Sequence, residues 1–230
     1  MGRTRYGRRQ ERRHAHSLRQ IRRLLRQSGP LEGRLRSRRH QNPPGHCEIV
    51  TLPVYTYNHA VLKTKTSQIS DMSDELATFI DTMFDTMYNA NGIGLAANQV
   101  GMGLALTVID VSDADEDAET TGPLTLINPV IEAYSDEEEE FEEGCLSLPD
   151  FRDIVVRPEA IQVRFLDRFM KEHVREVDGL LARVMQHEID HLNGIYFFER
   201  LSPIRRTLAS SKLKRIAKGL IETEYELYRP

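Results

Sequence analysis

The stretch VMQHEIDHLNG, residues 184–194, places two histidines four residues apart, with a glutamate directly after the first. On a helix, His187 and His191 lie on one face, and Glu188 projects close to them. Val184 lies on the same arc, so this face is predicted to point into the protein interior. Two imidazoles and a carboxylate are costly to bury unless a cation compensates them. The stretch therefore predicts a central helix that binds a divalent metal ion.

The residue patterns alone leave the third metal ligand open. In the familiar HExxH metalloproteases it is a histidine or glutamate further along the chain, but no histidine follows His191. Upstream, Cys145 in EEGCLSLP offers a thiolate, which is a good ligand for a soft or borderline ion. A lone cysteine is more often a small buried apolar residue, so spacing does not decide. The downstream carboxylates that remain candidates are Glu199, Glu222, Glu224 and Glu226.

Charge divides the chain into two unlike segments. Residues 1–48 contain 14 arginines, no lysine and three acidic residues, whereas residues 49–230 contain 17 basic and 32 acidic residues. The first segment is predicted to be a disordered extension. Three interpretations of it are open: a mitochondrial targeting segment, an RNA-binding arm, or upstream codons translated through a wrong start assignment. Residues 49–230 are predicted to form one folded domain.

The compartment is constrained by what the chain lacks. No stretch approaches the roughly 20 apolar residues that span a bilayer, and the N-terminus lacks the apolar region of a secretory signal. The two cysteines, Cys47 and Cys145, are too few for a disulfide framework. These observations indicate a reducing compartment and no membrane span.

Hydrophobic periodicity predicts an α+β fold, with antiparallel or mixed β-sheets packed around the central metal-binding helix and with a C-terminal helix. Ser73 or Asp71 is expected to cap the clearest helix, and Gly194 to end the metal-binding helix. No strand is predicted over 135–144, which is mostly acidic. The predicted strands cover 48–57, 104–111, 123–131 and 154–167, the last in two pieces, and the predicted helices cover 73–92, 177–194 and roughly 204–225.

Three blocks, in this order, resemble the signature motifs of peptide deformylases: GIGLAANQ (92–99), EGCLS (143–147) and QHEIDHLNG (186–194). HExxH alone is common, but the three blocks together are highly specific. The resemblance, which covers roughly residues 49–215, implies an enzyme that removes the formyl group from the N-terminal formylmethionine of nascent polypeptides. It also implies that the third ligand is a thiolate, so that the metal is held by Cys145, His187 and His191.

The resemblance further implies roles for residues around the metal. Three protein ligands leave a fourth position for water, as in catalytic sites, and Glu188 would take and return a proton. The Gln99 side chain and the Leu146 backbone N–H would stabilise an oxyanion. Glycines at 92 and 94 are interpreted as letting a bound peptide come close. The expected substrate-contacting set is Gly92, Ile93, Gly94, Phe141, Leu180 and Arg152, and the expected bracing set is Asp190, Arg157 and Glu143.

Cofactor, partners and location follow from the same resemblance. The metal is expected to be Fe²⁺, with Zn²⁺, Ni²⁺ or Co²⁺ able to occupy the same ligands. The expected partners are formyl-Met nascent peptides and a ribosome surface contacted by the basic C-terminal helix, with no DNA and no membrane. The protein is expected to be a monomer in the cytoplasm of a bacterium. If the arginine-rich segment is a transit peptide, the alternative is a mitochondrion or plastid.

Two other functions compete with this interpretation. One is a zinc peptidase of the HExxH type, which would need a third ligand other than Cys145. The other is an RNA- or ribosome-binding protein whose catalytic fold is vestigial, favoured by the arginine-rich segment and the basic C-terminal stretch. Intact Glu188 and Gln99 argue against the vestigial alternative.

Overall fold

The computed structural model describes residues 20, 21, 23, 50–114 and 122–229. Short 3-10 helices lie at Ala60–Lys63, Ala97–Val100 and Phe197–Arg200. From residue 50 onward the longer elements are α1 (Asp74–Asn89), β1 (Gly94–Ala96), β2 (Leu106–Ile109), β3 (Leu124–Tyr134), β4 (Glu138–Cys145), β5 (Leu148–Pro158), β6 (Ile161–Leu166), β7 (Glu172–Val177), α2 (Gly179–Leu192) and α3 (Pro203–Ala217).

Two separate sheets confirm the predicted α+β class. Five strands form one sheet in the order β1-β2-β3-β6-β7, and β4 and β5 form a two-stranded sheet that we call the ribbon. Every strand pair in the described ranges is antiparallel, so the sheets are not mixed. The ribbon pairs regularly up to Gly144, and its register then shifts at Cys145, which pairs with Leu148 beside the turn.

Helix α1 forms where the apolar spacing predicted it. The Ser73 hydroxyl accepts a hydrogen bond from the Leu76 backbone N–H and caps the first turn. Phe79 and Met83, on the face that the 3.6-residue period aligns, are fully buried in the core. The helix ends at Asn89, and the Gly92 amide then bonds back to a carbonyl of the last turn.

Helix α2 lies between the large sheet and the ribbon, as expected of a central helix. On one side, Ala182, Met185 and Ile189 share an apolar cluster with residues of β2, β3 and β6. On the other side, the side chains of Arg183 and Gln186 donate hydrogen bonds to backbone carbonyls of β5. Every residue of α2 from 182 to 192 is buried. The helix therefore holds its polar residues in the interior, facing the ribbon.

One predicted strand does not form in its described part, and the strands β1, β4 and β7 were not predicted. Residues 48–57 were predicted as a strand, but the described part, from Val50, forms only an isolated bridge at Val54. Its backbone bonds go to three separate segments, around Gln99, Ser147 and Glu226, so no continuous ladder forms. Conversely, β4 is a strand despite its acidic composition, because it pairs with β5 along its length. Four of its five glutamates are exposed, and only Glu143 is buried. Strand β7 was not predicted, and α3 ends at Ala217 rather than near 225.

The arginine-rich segment is described only at Gln20, Ile21 and Arg23, which are helical. Ile21 is buried and belongs to the same apolar cluster as Leu52. At this position the chain is packed on the core, and the prediction of a disordered extension stays a prediction. The rest of that prediction, including Cys47, lies outside the described residues. In the described ranges, no helix is long and apolar enough to cross a membrane.

We expect Gly194→Ala to destabilise the protein more than Gly219→Ala. Both glycines follow a helix C-terminus with positive φ, 76° and 66°, where an L side chain costs about 1–2 kcal/mol. A Cβ at Gly194 would also lie 2.7 Å from the Lys63 carbonyl oxygen, whereas Gly219 faces open space. Urea unfolding should therefore show a larger loss of unfolding free energy at Gly194. Equal losses would mean that the Lys63 segment moves away without cost.

Candidate active site and metal centre

Three potential metal ligands meet where the ribbon contacts α2. The Cys145 Sγ and one ring nitrogen each from His187 and His191 lie within 4.8 Å of one another. The Cys145 Sγ is 3.1 Å from His191 Nε2. The cysteine stands at the end of β4 and the histidines one turn apart on α2. Among the described residues, this cluster has the same three members as the expected ligand set. Glu199, Glu222, Glu224 and Glu226, the downstream carboxylates considered as third ligand, do not belong to it.

The histidine orientations fit a bound cation. His187 Nδ1 lies 2.8 Å from Glu143 Oε2, so its Nε2 is left for a metal, as a carboxylate behind a ligating histidine usually arranges. Burial lowers the pKa of His187, but hydrogen bonds to Cys145 and Glu143 outweigh it and raise the pKa to about 10. The surroundings of His187 therefore favour positive charge. A thiolate and two imidazoles form a donor set suited to a divalent transition metal, and the residues present fit one.

Glu188 is buried beside this cluster and lies close to Gly94 of β1. Its Oε2 has no hydrogen-bond partner among the described residues. A Cβ added at Gly94 would lie 2.6 Å from Glu188 Oε1, so a side chain at this position would force the carboxyl group to move. Burial raises the pKa of Glu188 to about 7. A carboxyl group that titrates near neutrality is suited to general acid–base work.

The Gln99 amide is held in one orientation by its neighbours. Its Oε1 accepts a hydrogen bond of 2.8 Å from the Ala96 backbone N–H. Its Nε2 donates to Ser147 Oγ at 3.2 Å and lies 3.5 Å from Cys145 Sγ. The donor end of the amide therefore faces the ligand cluster. Leu146, in the turn between β4 and β5, follows Cys145 directly.

A buried ion network braces the ribbon against α2. Arg157 is 1% exposed and donates to both Glu143 oxygens, at 2.6 and 2.9 Å, and to Asp190 Oδ2 at 2.6 Å. The structure thus joins the three residues expected to brace the site. Burial would raise the pKa of Glu143, but hydrogen bonds from His187 and Arg157 outweigh it and hold the pKa far below its usual range. Glu143 therefore carries its charge in the interior.

Two further arginines belong to this network, and neither was expected to brace the site. Arg183 donates to Glu143 Oε1 at 3.0 Å and to a backbone carbonyl of each ribbon strand. Arg200 donates to both oxygens of Asp190 at 2.5 Å. The helical spacing of Arg183, one turn before His187, is a signal that could have pointed to it. Arg200 lies beyond the end of α2, and no spacing rule places it.

A cleft of about 850 Å³ opens over the site. Its floor includes Glu188, Gln99 and the candidate ligands Cys145 and His187. All six residues expected to contact substrate line it, as does Leu146. One side of the cleft is formed by four consecutive residues near the C-terminus that were not expected to line it. They are Glu222, Thr223, Glu224 and Tyr225.

Comparison with known proteins agrees with this geometry. A sequence model of the polypeptide deformylase family matches residues 51–207. A peptide deformylase of Salinibacter ruber is 43% identical over 182 residues, 76% of this chain and 93% of the relative. One from Cytophaga hutchinsonii is 43% identical over 178 residues, 77% of this chain and 97% of the relative.

Solved structures show the same fold. The crystal structure of a peptide deformylase from Legionella pneumophila superposes with a TM-score of 0.66 at 40% identity, over 74% of this chain and 97% of the other. A plant peptide deformylase gives a TM-score of 0.68 at 35% identity, over 74% and 90%. On the sequence match, these relatives and the shared fold, the chain belongs to the peptide deformylase family.

Proposed function

We propose that the cleft over α2 is where this peptide deformylase removes the formyl group from the N-terminal formylmethionine of nascent polypeptides, releasing formate. The observation that carries the proposal is the meeting of the Cys145, His187 and His191 donor atoms within 4.8 Å, beside a buried carboxyl group on the cleft floor. A zinc peptidase would need a third ligand other than Cys145, and this geometry does not favour it. The convergence of intact catalytic groups also counts against a vestigial site.

We infer that Cys145, His187 and His191 hold one divalent ion, with Fe²⁺ the native metal and Zn²⁺, Ni²⁺ or Co²⁺ able to replace it. When bound, such an ion supplies Lewis acidity, which makes a water molecule more acidic and polarises the formyl carbonyl. The chain's own contribution is to hold the ligands in place. Glu143 orients His187 from behind, and Arg157 in turn holds Glu143 against Asp190.

Glu188 is proposed as the proton carrier. It takes a proton from the attacking water and delivers it to the methionine amino group as the formyl C–N bond breaks. Its carboxyl group lines the cleft, and its pKa of about 7 allows both steps near neutral pH.

The oxyanion that forms on the formyl oxygen needs fixed donors. Gln99 Nε2 is proposed as one, because its amide is locked by Ala96 and Ser147 and its donor end faces the cluster. The Leu146 backbone N–H, which directly follows a proposed ligand, is proposed as the other. Fixed donors stabilise developing charge without reorganisation in the transition state.

The peptide is proposed to bind along β1, which is the edge strand of the large sheet. An extended substrate could add to that edge by backbone hydrogen bonds, and Gly92 and Gly94 line the cleft there. Both glycines also have an internal reason to be small, since added Cβ atoms would meet Leu146 and Glu188. The methionine side chain would lie among Ile93, Phe141 and Leu180, with Arg152 contacting the peptide at the rim.

The proposed setting is a monomer in the bacterial cytoplasm, where formylated nascent chains emerge from ribosomes. Five of the six basic residues around α3 are exposed and could dock on a ribosome, while Lys212 lies at the cleft. An organelle remains the alternative if the arginine-rich segment is a transit peptide. The six basic residues are Arg205, Arg206, Lys212, Lys214, Arg215 and Lys218.

Glu188→Gln tests the proton carrier. We expect formate release from a formyl-Met peptide to fall about 10²–10⁴-fold, the usual contribution of a general acid–base group, with the metal content of the anaerobically purified protein unchanged. A variant that keeps its rate would exclude Glu188 as carrier. A parent protein that holds stoichiometric metal yet releases no formate would contradict the proposed function itself.

Gly94→Ala tests whether the bare backbone of β1 sets the position of Glu188. The new Cβ would displace the carboxyl group, because it would lie 2.6 Å from Oε1. We expect kcat to fall by at least about tenfold, since small misplacements of catalytic groups are costly, with metal content unchanged. Gly103→Ala is the matched control, as nothing lies within 4 Å of its Cβ position. Similar kcat values for the two variants would contradict the assignment.

Glu143→Gln tests the bracing of His187. The variant loses the charge that pairs with Arg157 and orients His187, so metal affinity should fall about 10–100-fold. Unfolding free energy should also fall by about 3–5 kcal/mol, because the buried guanidinium groups of Arg157 and Arg183 each lose a charged partner. Chelator competition and urea unfolding measure the two effects. Glu140→Gln, exposed on the same strand, should change neither; an unchanged metal affinity in Glu143→Gln would exclude the bracing role.

A further inference from the structure

The chain after α3, residues 219–229, forms one wall of the cleft; we call it the tail. It lies beyond the segment that the family model matches, which ends at residue 207. It contains no helix and only one isolated bridge, yet four consecutive tail residues, 222–225, line the cleft. Its order must therefore come from contacts with the rest of the protein.

Both ends of the tail are fixed. At its start, Ile221 is buried in an apolar cluster with Leu148 and Phe197. At its end, the Val54 N–H donates to the Glu226 carbonyl and the Tyr228 N–H donates to the Val54 carbonyl, both at 2.9 Å. The Tyr228 ring also stacks on Tyr55, with centroids 4.0 Å apart and planes 8° from parallel. The segment between these anchors is held across the side of the cleft.

Between the anchors, Tyr225 reaches the turn that carries the proposed catalytic groups. Its hydroxyl donates a hydrogen bond of 2.8 Å to the Leu146 carbonyl. The Thr223 hydroxyl donates to the Tyr225 carbonyl at 2.6 Å, which holds the tyrosine backbone in turn. The tail thus contacts the residue next to Cys145 through a single directed bond.

Other contacts of the turn 145–147 come from residues outside the tail. The Tyr57 N–H donates to the Ser147 carbonyl at 3.0 Å, and Gln99 Nε2 donates to Ser147 Oγ at 3.2 Å. The Leu146 side chain lies against Gly92, since a Cβ there would be 3.0 Å from its Cδ1. Within the described ranges, the Leu146 carbonyl accepts its hydrogen bond from the Tyr225 hydroxyl. Without it, the Leu146 backbone would depend on its neighbours alone.

We propose that Tyr225 is a positioning residue of the deformylase reaction, which holds Leu146 so that its backbone N–H meets the substrate oxyanion. The proposal rests on the proposed function, in which that N–H is an oxyanion donor. Loss of the hydroxyl would leave the donor present but less well placed. A misplaced transition-state donor lowers kcat, whereas binding of the ground state depends mainly on other contacts.

The test compares the full-length Tyr225→Phe protein with the parent, both loaded with the same metal. On a formyl-Met peptide we expect kcat to fall roughly tenfold, KM to change less than about twofold, and metal content to stay constant. Amide hydrogen exchange across 145–148 should become faster. Tyr134→Phe is the matched control, because it removes a hydroxyl from a tyrosine that is 57% exposed on β3; all four readouts should match the parent.

Tyr225→Ala separates the hydroxyl from the ring. If the hydroxyl positions Leu146, Ala and Phe should lower kcat to a similar extent. A Phe variant with parental kcat, or a loss seen only in the Ala variant, would overturn the proposal in favour of a packing role. A Phe variant that raises KM alone would make Tyr225 a substrate contact and overturn it too. These outcomes differ from failure of the proposed function, in which the parent itself would release no formate.

Discussion

The buried ion network around Arg157 is the interaction on which the site depends. One guanidinium group bonds to Glu143 on the ribbon and to Asp190 on α2, and so ties together the two elements that carry the candidate metal ligands. Desolvating these charges is costly, and the network is therefore weak evidence for net stability. What it supplies is alignment, because each group has few geometries that satisfy all its bonds. Cys145 lies beside the two histidines because the ribbon is held in this position against α2.

The same network explains why two neighbouring carboxyl groups behave in opposite ways. Glu143 receives hydrogen bonds from two arginines and from His187, and its pKa stays far below the usual range. Glu188, one residue after His187, has an oxygen with no partner in the described ranges, and its pKa rises to about 7. Burial disfavours the charged form of both groups, and hydrogen bonds from His187 and Arg157 outweigh that effect only at Glu143. In the proposed mechanism, Glu143 is therefore the charged group that orients a candidate metal ligand, and Glu188 is the group that exchanges a proton.

Much of the fold could be predicted from local pattern. The apolar periodicity of α1, its Ser73 cap and the inward face of α2 were all visible, since helical burial repeats at a spacing that a sequence records directly. Prediction failed where distant parts of the chain, rather than local composition, set the backbone conformation. Strand β4 is so acidic that only its ribbon partner, β5, explains its extended form. Residues around Val54 appeared strand-like, but their backbone groups bond to the tail, to Gln99 and to Ser147 instead.

The sequence by itself determined which chemical groups are available. They are two histidines and a glutamate on one helical face, a cysteine in EGCLS and a glutamine in GIGLAANQ. It could not decide from spacing that Cys145 is near the histidines, that Gly94 lies close to the Glu188 carboxyl group, or that Arg183 and Arg200 join the network. Nor could it place Tyr225 at Leu146, 79 residues earlier in the chain. Local periodicity reports which face of an element is buried. Only the packing of the ribbon, the large sheet and the tail around α2 decides which distant groups meet there.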